Sequence, residues 1–194
     1  MNGVQNMEHK GTVRLETERL VLRKFVESDA AAAYRNWTVD DEVTKYLTWP
    51  SHANEEMTAY VINNFWIANY KEDNFYQWAI EVKEIKEPIG TISVVNSDDL
   101  IGMFEIGYCI GKNWWNKGIV TEAFKEVIRF LFEEVKANRI QARHDPANPG
   151  SGIVMKKCGL QYEGTLRKAD KNNTGIVDVA IYGILAEEYW KEEK

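Results

Sequence analysis

The chain has no long hydrophobic run and nothing typical of a secretion signal. Its apolar stretches, such as residues 30–34, are only a few residues long, whereas a membrane-spanning helix needs about 20. The first twelve residues are polar and lack an apolar segment followed by a small-residue cleavage site. The sequence therefore excludes a transmembrane protein, and we expect a cytoplasmic one in which residues 1–12 form a flexible tail.

Cysteine and histidine are also scarce. The two cysteines, Cys109 and Cys158, form no Cys-x-x-Cys pair, and the three histidines lie far apart in the sequence. A disulfide framework or a zinc site would need clusters of these residues. We therefore expect two packed, reduced thiols and no bound metal.

Basic residues are outnumbered by acidic ones. There are 24 Lys and Arg against 30 Asp and Glu, a formal net charge of −6. This balance disfavours direct binding of nucleic acid and is compatible with a cationic substrate. No linker or internal repeat divides the chain, and 194 residues with 44% hydrophobic content can bury one continuous core. We expect a single domain over residues 13–194, with no membrane partner and with a homodimer left open.

The periodicity of the apolar residues predicts an α+β fold. We expect strands at 19–25, 75–83, 89–95, 103–110, 139–143, 162–167 and 177–185, and helices at 30–37, 54–70, 118–136 and 151–157. Short connections make the second, third and fourth strands an antiparallel meander. In the helix at 54–70 one buried stripe is expected, formed by Met57, Tyr60, Val61, Phe65 and Ala68. The order of elements predicts a mixed central sheet of about seven strands with helices on both faces.

Residues 103–122 predict a strand, a glycine-containing loop and a helix that begins near Gly118. The first amides of a helix lack an intrahelical acceptor and favour a phosphate at that end. Gly118 would let the backbone approach such a group, and Lys117 would add a positive charge. An ordinary strand-to-helix turn fits this pattern somewhat better on its own. The usual dinucleotide and P-loop sites are excluded, because neither glycine motif is present.

Gly107 lies inside the strand at 103–110, where glycine often marks a bulge or the close approach of another backbone. A strand that splays away from its neighbour leaves amides unpaired. Such amides suit an extended, amide-containing ligand or a developing oxyanion. A twist that only shapes the sheet is the alternative.

Residues 115–123, WNKGIVTEA, resemble the acetyl-CoA pyrophosphate loop of the GNAT N-acetyltransferases, in the branch of the ribosomal-protein N-terminal acetyltransferases. The resemblance covers nearly the whole chain. Residues 15–23 are similar to the opening strand of that branch, 105–108 to its central strand, 142–159 to its next strand, loop and helix, and 163–185 to its final hairpin. It implies a single-domain GNAT fold whose central sheet is splayed in the middle, with acetyl-CoA as co-substrate.

The resemblance also implies roles for individual residues. Glu105 becomes the candidate base, directly or through water; an exposed carboxylate or ion-pair partner is the alternative. Ser151 would donate to the leaving thiolate, although the segment 148–151 equally suits a helix N-cap. Trp49 is expected to line the acceptor pocket. The expected contacts to acetyl-CoA are Cys109, Ile110, Asn116, Lys117, Gly118, Ile119, Val120, Thr121, Asn148 and Ser151.

At Cys109 and Ile110 the expected contribution is a backbone amide facing the oxyanion. At Val120 the family pattern has Gly or Ala, so the valine side chain is expected to narrow the phosphate cradle. Because amides donate the hydrogen bonds, we expect the site to survive this difference.

The implied reaction is acetyl transfer to a primary amine, with a ribosomal-protein or peptide N-terminus as the favoured acceptor. An α-amine, with a pKa near ~8, loses its proton more readily than a lysine side chain near ~10.4. A small cationic amine, such as a polyamine, an amino acid or a drug, is the alternative acceptor. A module that binds CoA without catalysis is the alternative from another class.

Overall fold

The computed structural model describes residues 7–192, whose strands form one mixed sheet of eight. The strands are Leu15–Glu16 (β1), Leu20–Arg23 (β2), Gln77–Val82 (β3), Glu87–Asp98 (β4), Met103–Ile110 (β5), Arg139–His144 (β6), Gln161–Asn172 (β7) and Gly175–Leu185 (β8). They lie in the order β1-β2-β3-β4-β5-β6-β8-β7. All neighbours are antiparallel except β5 and β6, which run parallel. The two-residue strand β1 was not predicted as a strand separate from β2.

The sheet opens in its middle, between β5 and β6. These strands pair over three residues, and the last pair is Glu105 with Gln141. Beyond Glu105, β5 continues to Ile110 beside β4 alone. Within the described part of the chain, its other backbone edge therefore has no strand partner over residues 106–110. The splayed centre implied by the family resemblance is confirmed by this register.

A bulge in β4 lies opposite the point where β5 leaves β6. Val94 pairs with Ile106 and Asn96 with Glu105, so Val95 is an extra residue in β4. A Cβ atom on Gly107 would lie 2.7 Å from Cγ1 of Val95. The irregularity expected at Gly107 is therefore present, but the inserted residue is in the neighbouring strand and Gly107 makes room for it.

Helices cover both faces of the sheet. They are Ala30–Ala33 (α1), Asp41–Thr44 (α2), Glu55–Val61 (α3), Ile119–Glu133 (α4), Pro149–Lys157 (α5) and Ala186–Glu192 (α6), and π-helical turns extend α1 over Tyr34–Thr38 and α3 over Ile62–Trp66. Helices α2 and α6 were not predicted from the sequence. Among residues 7–192, no helix has the length and apolar character to cross a bilayer.

Two apolar cores separate the sheet from its helices. The larger one lies under α4 and includes Leu22, Trp78 and Phe104. The smaller one lies under α1 and α3 and includes Trp37 and Ile62. The periodicity of α4 is confirmed, because every position of its predicted stripe is buried: Ala123, Phe124, Val127, Ile128, Leu131, Phe132 and, just beyond the helix, Val135.

The buried stripe predicted for the helix at 54–70 is wrong. Three of its members are about half exposed, namely Met57 at 48%, Tyr60 at 56% and Phe65 at 55%. The helix instead buries Thr58 and Ile62. The Thr58 hydroxyl satisfies its hydrogen bonding inside the protein, since its Oγ1 lies 2.8 Å from Oγ1 of Thr38. A polar side chain thus occupies the inner face, and apolar ones face outward.

The flexible tail expected over residues 1–12 is not found from residue 7 onward. The Glu8 amide donates to the Val135 carbonyl at 2.8 Å, and the Thr12 hydroxyl donates to the Phe75 carbonyl at 2.9 Å. Thr12 is also buried. The packed domain therefore begins before residue 13, while residues 1–6 lie outside the described part.

Candidate active site

The loop between β5 and α4 presents backbone amides beside the opened sheet. Trp115 Nε1 donates to the Ile110 carbonyl at 2.9 Å, which fixes the loop to the end of β5. Asn116 and Gly118 have φ angles of 59° and 73°, and these turn the chain into the helix. The Glu122 amide bonds the Gly118 carbonyl at 3.0 Å, so the amides of residues 119–121 precede the first intrahelical bond. This geometry suits a pyrophosphate.

The side chains of this loop divide between solvent and core. Asn116, Lys117 and Gly118 are exposed, as contact with a large ligand requires. Ile119 and Val120 are buried members of the main apolar core. The Val120 side chain therefore packs into the protein, and the narrowing of the phosphate cradle expected from it is not observed.

The Glu122 carboxylate joins the start of α4 to the opening strand. Thr17 Oγ1 donates to it at 2.6 Å, the Arg19 amide at 2.9 Å and Arg19 Nε at 2.7 Å. Burial acts to raise the pKa of Glu122, but these hydrogen bonds from Thr17 and Arg19 outweigh it and lower the pKa below its ordinary value. The carboxylate is also favourably placed near the positive end of the helix.

A cavity of about 600 Å³ opens at the split, on the face covered by α1 and α3. Glu105, Cys109 and Trp49 contribute to its walls. The candidate base, Glu105, and the residue expected to line the acceptor pocket, Trp49, therefore lie in the same cavity. The tip of the β7–β8 hairpin closes one side, where Asn173 Nδ2 donates to the Trp49 carbonyl at 2.8 Å. Further aromatic and acidic side chains line it, namely Phe65, Trp66, Asp145, Asp170 and Asp178.

Glu105 is a buried, ion-paired carboxylate at the mouth of the split. Its exposed fraction is 6%. Gln141 Nε2 donates to Oε2 at 2.8 Å, and Arg143 Nε lies 2.9 Å from Oε1. Of the alternatives considered for this residue, the exposed carboxylate is excluded and the ion pair is present. No local pattern in the sequence indicates Gln141, and Arg143 is indicated only as part of the segment 142–159 that resembles the family.

Tyr108 and Ser151 meet on the opposite face of the sheet. The Tyr108 hydroxyl donates to the Ser151 carbonyl at 3.0 Å and shares a 2.9 Å hydrogen bond with Ser151 Oγ. Burial raises the pKa of Tyr108, although the bond to Ser151 opposes the effect. The phenol is therefore protonated at neutral pH. Sequence reasoning placed Ser151 in the site but missed Tyr108, which was visible only as part of the central strand motif.

The remaining expected contacts are supplied by backbone or lie at the start of α5. Cys109 and Ile110 are both buried at 8% exposure, so a ligand in the split would meet their main chain. Burial raises the pKa of the Cys109 thiol to about 12, and both cysteines are free and buried, as predicted. Asn148 is the N-cap position of α5. Residues 7–192 contain no group of side chains that could hold a metal ion.

Comparison with known proteins agrees with this geometry. Residues 19–161 match the family model described as an acetyltransferase (GNAT) domain. The chain is 36% identical over 180 residues to the uncharacterized N-acetyltransferase p20 of Bacillus licheniformis, covering 90% of this chain and 97% of p20. It is 29% identical to the [ribosomal protein uS5]-alanine N-acetyltransferase of Escherichia coli, over 78% of this chain and 80% of that enzyme. A GNAT-family acetyltransferase structure from Bacillus anthracis superimposes with a TM-score of 0.79 at 29% identity, covering 91% and 100% of the two chains.

Proposed function

The chain belongs to the GNAT acetyltransferase family and is an acetyl-CoA-dependent N-acetyltransferase; from this premise we propose that its acceptor is the α-amino group of a protein or peptide N-terminus, with a ribosomal protein as the favoured one. The observation that carries the proposal is the split between β5 and β6, where a cavity lined by Glu105 opens beside the strand that leads into the amide loop at α4.

The residues around the split fit acetyl-CoA, which supplies an activated thioester carbonyl. The free amides of 119–121 and the exposed segment 116–118 would hold the pyrophosphate. Asn148 and the start of α5 would contact the pantetheine arm. The backbone near Cys109 and Ile110 would present N–H groups to the thioester oxygen, where negative charge develops during attack.

The two proposed proton transfers take place on opposite faces of β5. Glu105 and Tyr108 are three residues apart, and residues at odd spacing along a strand point to opposite faces. Glu105 would accept the proton of the acceptor ammonium inside the cavity. The Tyr108 and Ser151 hydroxyls would supply a proton to the leaving thiolate on the other face. The thioester would lie between these groups, in the split.

A peptide N-terminus is supported by the cavity walls and by a relative. Trp49, Phe65 and Trp66 provide apolar surface for the first residue of an acceptor, and the Escherichia coli relative acts on a ribosomal protein by its name. A small cationic amine is the second candidate, because four carboxylates line the same cavity: Glu105, Asp145, Asp170 and Asp178.

The experiment that tests the acceptor measures CoA release at saturating acetyl-CoA. Peptides beginning with Ala or Ser are compared with the same peptides carrying a blocked N-terminus and an internal lysine, and with spermidine. We expect turnover of the free peptides only. Turnover of spermidine alone would replace the peptide with the small amine, whereas thermal protection by CoA without any thiol release would show a binding module.

A further inference from the structure

Arg143 lies between two carboxylates from different strands at the opening of the cavity. Its Nε is 2.9 Å from Oε1 of Glu105 on β5, and its Nη1 is 3.6 Å from Oδ2 of Asp170 on β7. The Glu105 side chain is 8% exposed, whereas those of Arg143 and Asp170 are 45% and 29% exposed. The arginine therefore reaches from the solvent-accessible rim to a buried acid.

A buried carboxylate is unstable in its ionised form unless charge or hydrogen bonds compensate for lost hydration. Gln141 supplies one hydrogen bond to Glu105, and Arg143 supplies the only full positive charge in an ion pair with it among the described residues. Without Arg143 this carboxylate would lose its counter-ion. The ion pair and the Gln141 hydrogen bond thus fix the position of the Glu105 carboxylate at the split.

In this ion pair Nε of Arg143 contacts Oε1 of Glu105, which is the oxygen that an acceptor ammonium would approach. Arg143 is half exposed and has a second carboxylate, Asp170, within reach, so it can exchange one partner for the other without losing all compensation. Other charged side chains and two histidines line the cavity, namely His52, His144, Asp145, Lys171 and Asp178. Asp145, Asp170 and Asp178 each accept a hydrogen bond from a backbone amide. Among the described residues, Asp170 is the one of these three that also forms an ion pair with Arg143.

We propose that Arg143 is a positioning residue for the base: through its ion pair it holds the Glu105 carboxylate in place, and it exchanges this partner for Asp170 when the acceptor ammonium arrives. An N–H bond of the ammonium then breaks, its proton passes to Oε1 of Glu105, and the electron pair stays on nitrogen for attack on the thioester. This inference rests on the proposed function, because it assumes that Glu105 is the base.

A double-mutant cycle on kcat tests it. Arg143→Ala is expected to lower kcat by about ten-fold and to leave the KM for acetyl-CoA within about two-fold. Arg143→Lys, which keeps the charge, is expected to recover most of this loss. In a Glu105→Gln background, Arg143→Ala is expected to change kcat by less than about two-fold, because a residue acting through Glu105 has nothing left to act on.

The Asp170→Asn variant tests Asp170 as the second ion-pair partner of Arg143. It is expected to raise the KM for the amine by about five-fold with a smaller change in kcat, since Arg143 loses the site to which it moves. Arg14→Ala is the matched control: it removes an arginine paired with Glu16 at 2.8 Å, outside the residues that line the cavity, and should leave both constants unchanged.

The outcomes separate this inference from the proposed function. If wild type is active and Arg143→Ala retains full kcat, or loses the same factor in both backgrounds, the positioning role is overturned and the proposed function stands. If wild type releases no CoA with any amine, the proposed function fails and the role of Arg143 fails with it.

Discussion

Arg19 lies directly beside Gly118 at the start of α4. A Cβ atom on Gly118 would be 3.6 Å from Nη2 of Arg19, and Nη1 of the same guanidinium donates to the Lys117 carbonyl at 3.0 Å. The opening strand therefore supports the amide loop from one side, and a side chain at Gly118 would enter the space on that side.

Gly118→Trp is expected to abolish measurable binding of acetyl-CoA. At a φ angle of 73°, the backbone of any residue with a Cβ atom is strained by about 1 to 2 kcal/mol. The indole also adds bulk beside the amides. Isothermal titration calorimetry with acetyl-CoA measures the effect. Gly118→Ala carries the strain without the bulk and should bind with reduced affinity. Wild-type affinity in the tryptophan variant would remove this loop from the CoA site.

Glu122→Gln is expected to reduce the free energy of unfolding by about 1 kcal/mol at pH 7. Because the folded-state pKa of Glu122 is lowered, its stabilisation is complete above the ordinary carboxyl pKa of 4.5 and is lost as the pH falls through the lowered value. The difference between wild type and variant should therefore shrink below pH 4.5. Urea unfolding of both proteins at several pH values measures it; a constant difference would contradict the assignment.

Glu105→Gln is expected to lower kcat by about 100-fold while the dissociation constant for acetyl-CoA changes by less than about two-fold. The amide keeps the shape of the side chain and its hydrogen bond to Gln141 but cannot accept the ammonium proton. Steady-state kinetics with a peptide acceptor and calorimetry with acetyl-CoA measure the two quantities. Equal kcat values for variant and wild type would remove Glu105 as the base.

Tyr108→Phe is expected to lower kcat by about ten-fold, with Ser151→Ala giving a loss of similar size. Since burial holds the pKa of Tyr108 above its ordinary value, the phenol keeps its proton up to pH 10 and should produce no alkaline fall in rate below that pH. Tyr76→Phe is a matched control, because burial also raises the pKa of Tyr76, to about 12, in the core away from the split. If Tyr108→Phe kept the wild-type kcat while Tyr76→Phe lost activity, the role of Tyr108 would be contradicted.

The sequence was sufficient to predict the elements with clear periodicity. α4 was predicted because its apolar residues recur at helical spacing and all of them meet the core. The helix at 54–70 shows the limit of this rule: its apolar residues Met57, Tyr60 and Phe65 face outward, while Thr58 is inside with a hydroxyl partner. Periodicity cannot recognise a polar residue whose hydrogen bonds are satisfied by another element.

The candidate site was predictable mainly as separate short segments, because the family resemblance lies in runs of residues that are close together in the chain. The loop at 115–123 and the strand carrying Glu105 were found in this way. The pairing of Glu105 with Arg143 was not, because it depends on β6 lying parallel to β5 after a long connection through α4. The bond between Tyr108 and Ser151 also joins residues 43 positions apart, and no local pattern reports it.

In the proposed reaction, the short ladder between β5 and β6 leaves free the strand edge that the thioester would occupy. Each additional rung beyond Glu105 and Gln141 would satisfy two backbone groups internally and stabilise the fold, but it would also occupy the edge at which a thioester could lie. A stronger sheet and acetyl transfer in the split therefore make opposite demands on residues 106–110, and we expect stabilising substitutions to be better tolerated elsewhere in this protein.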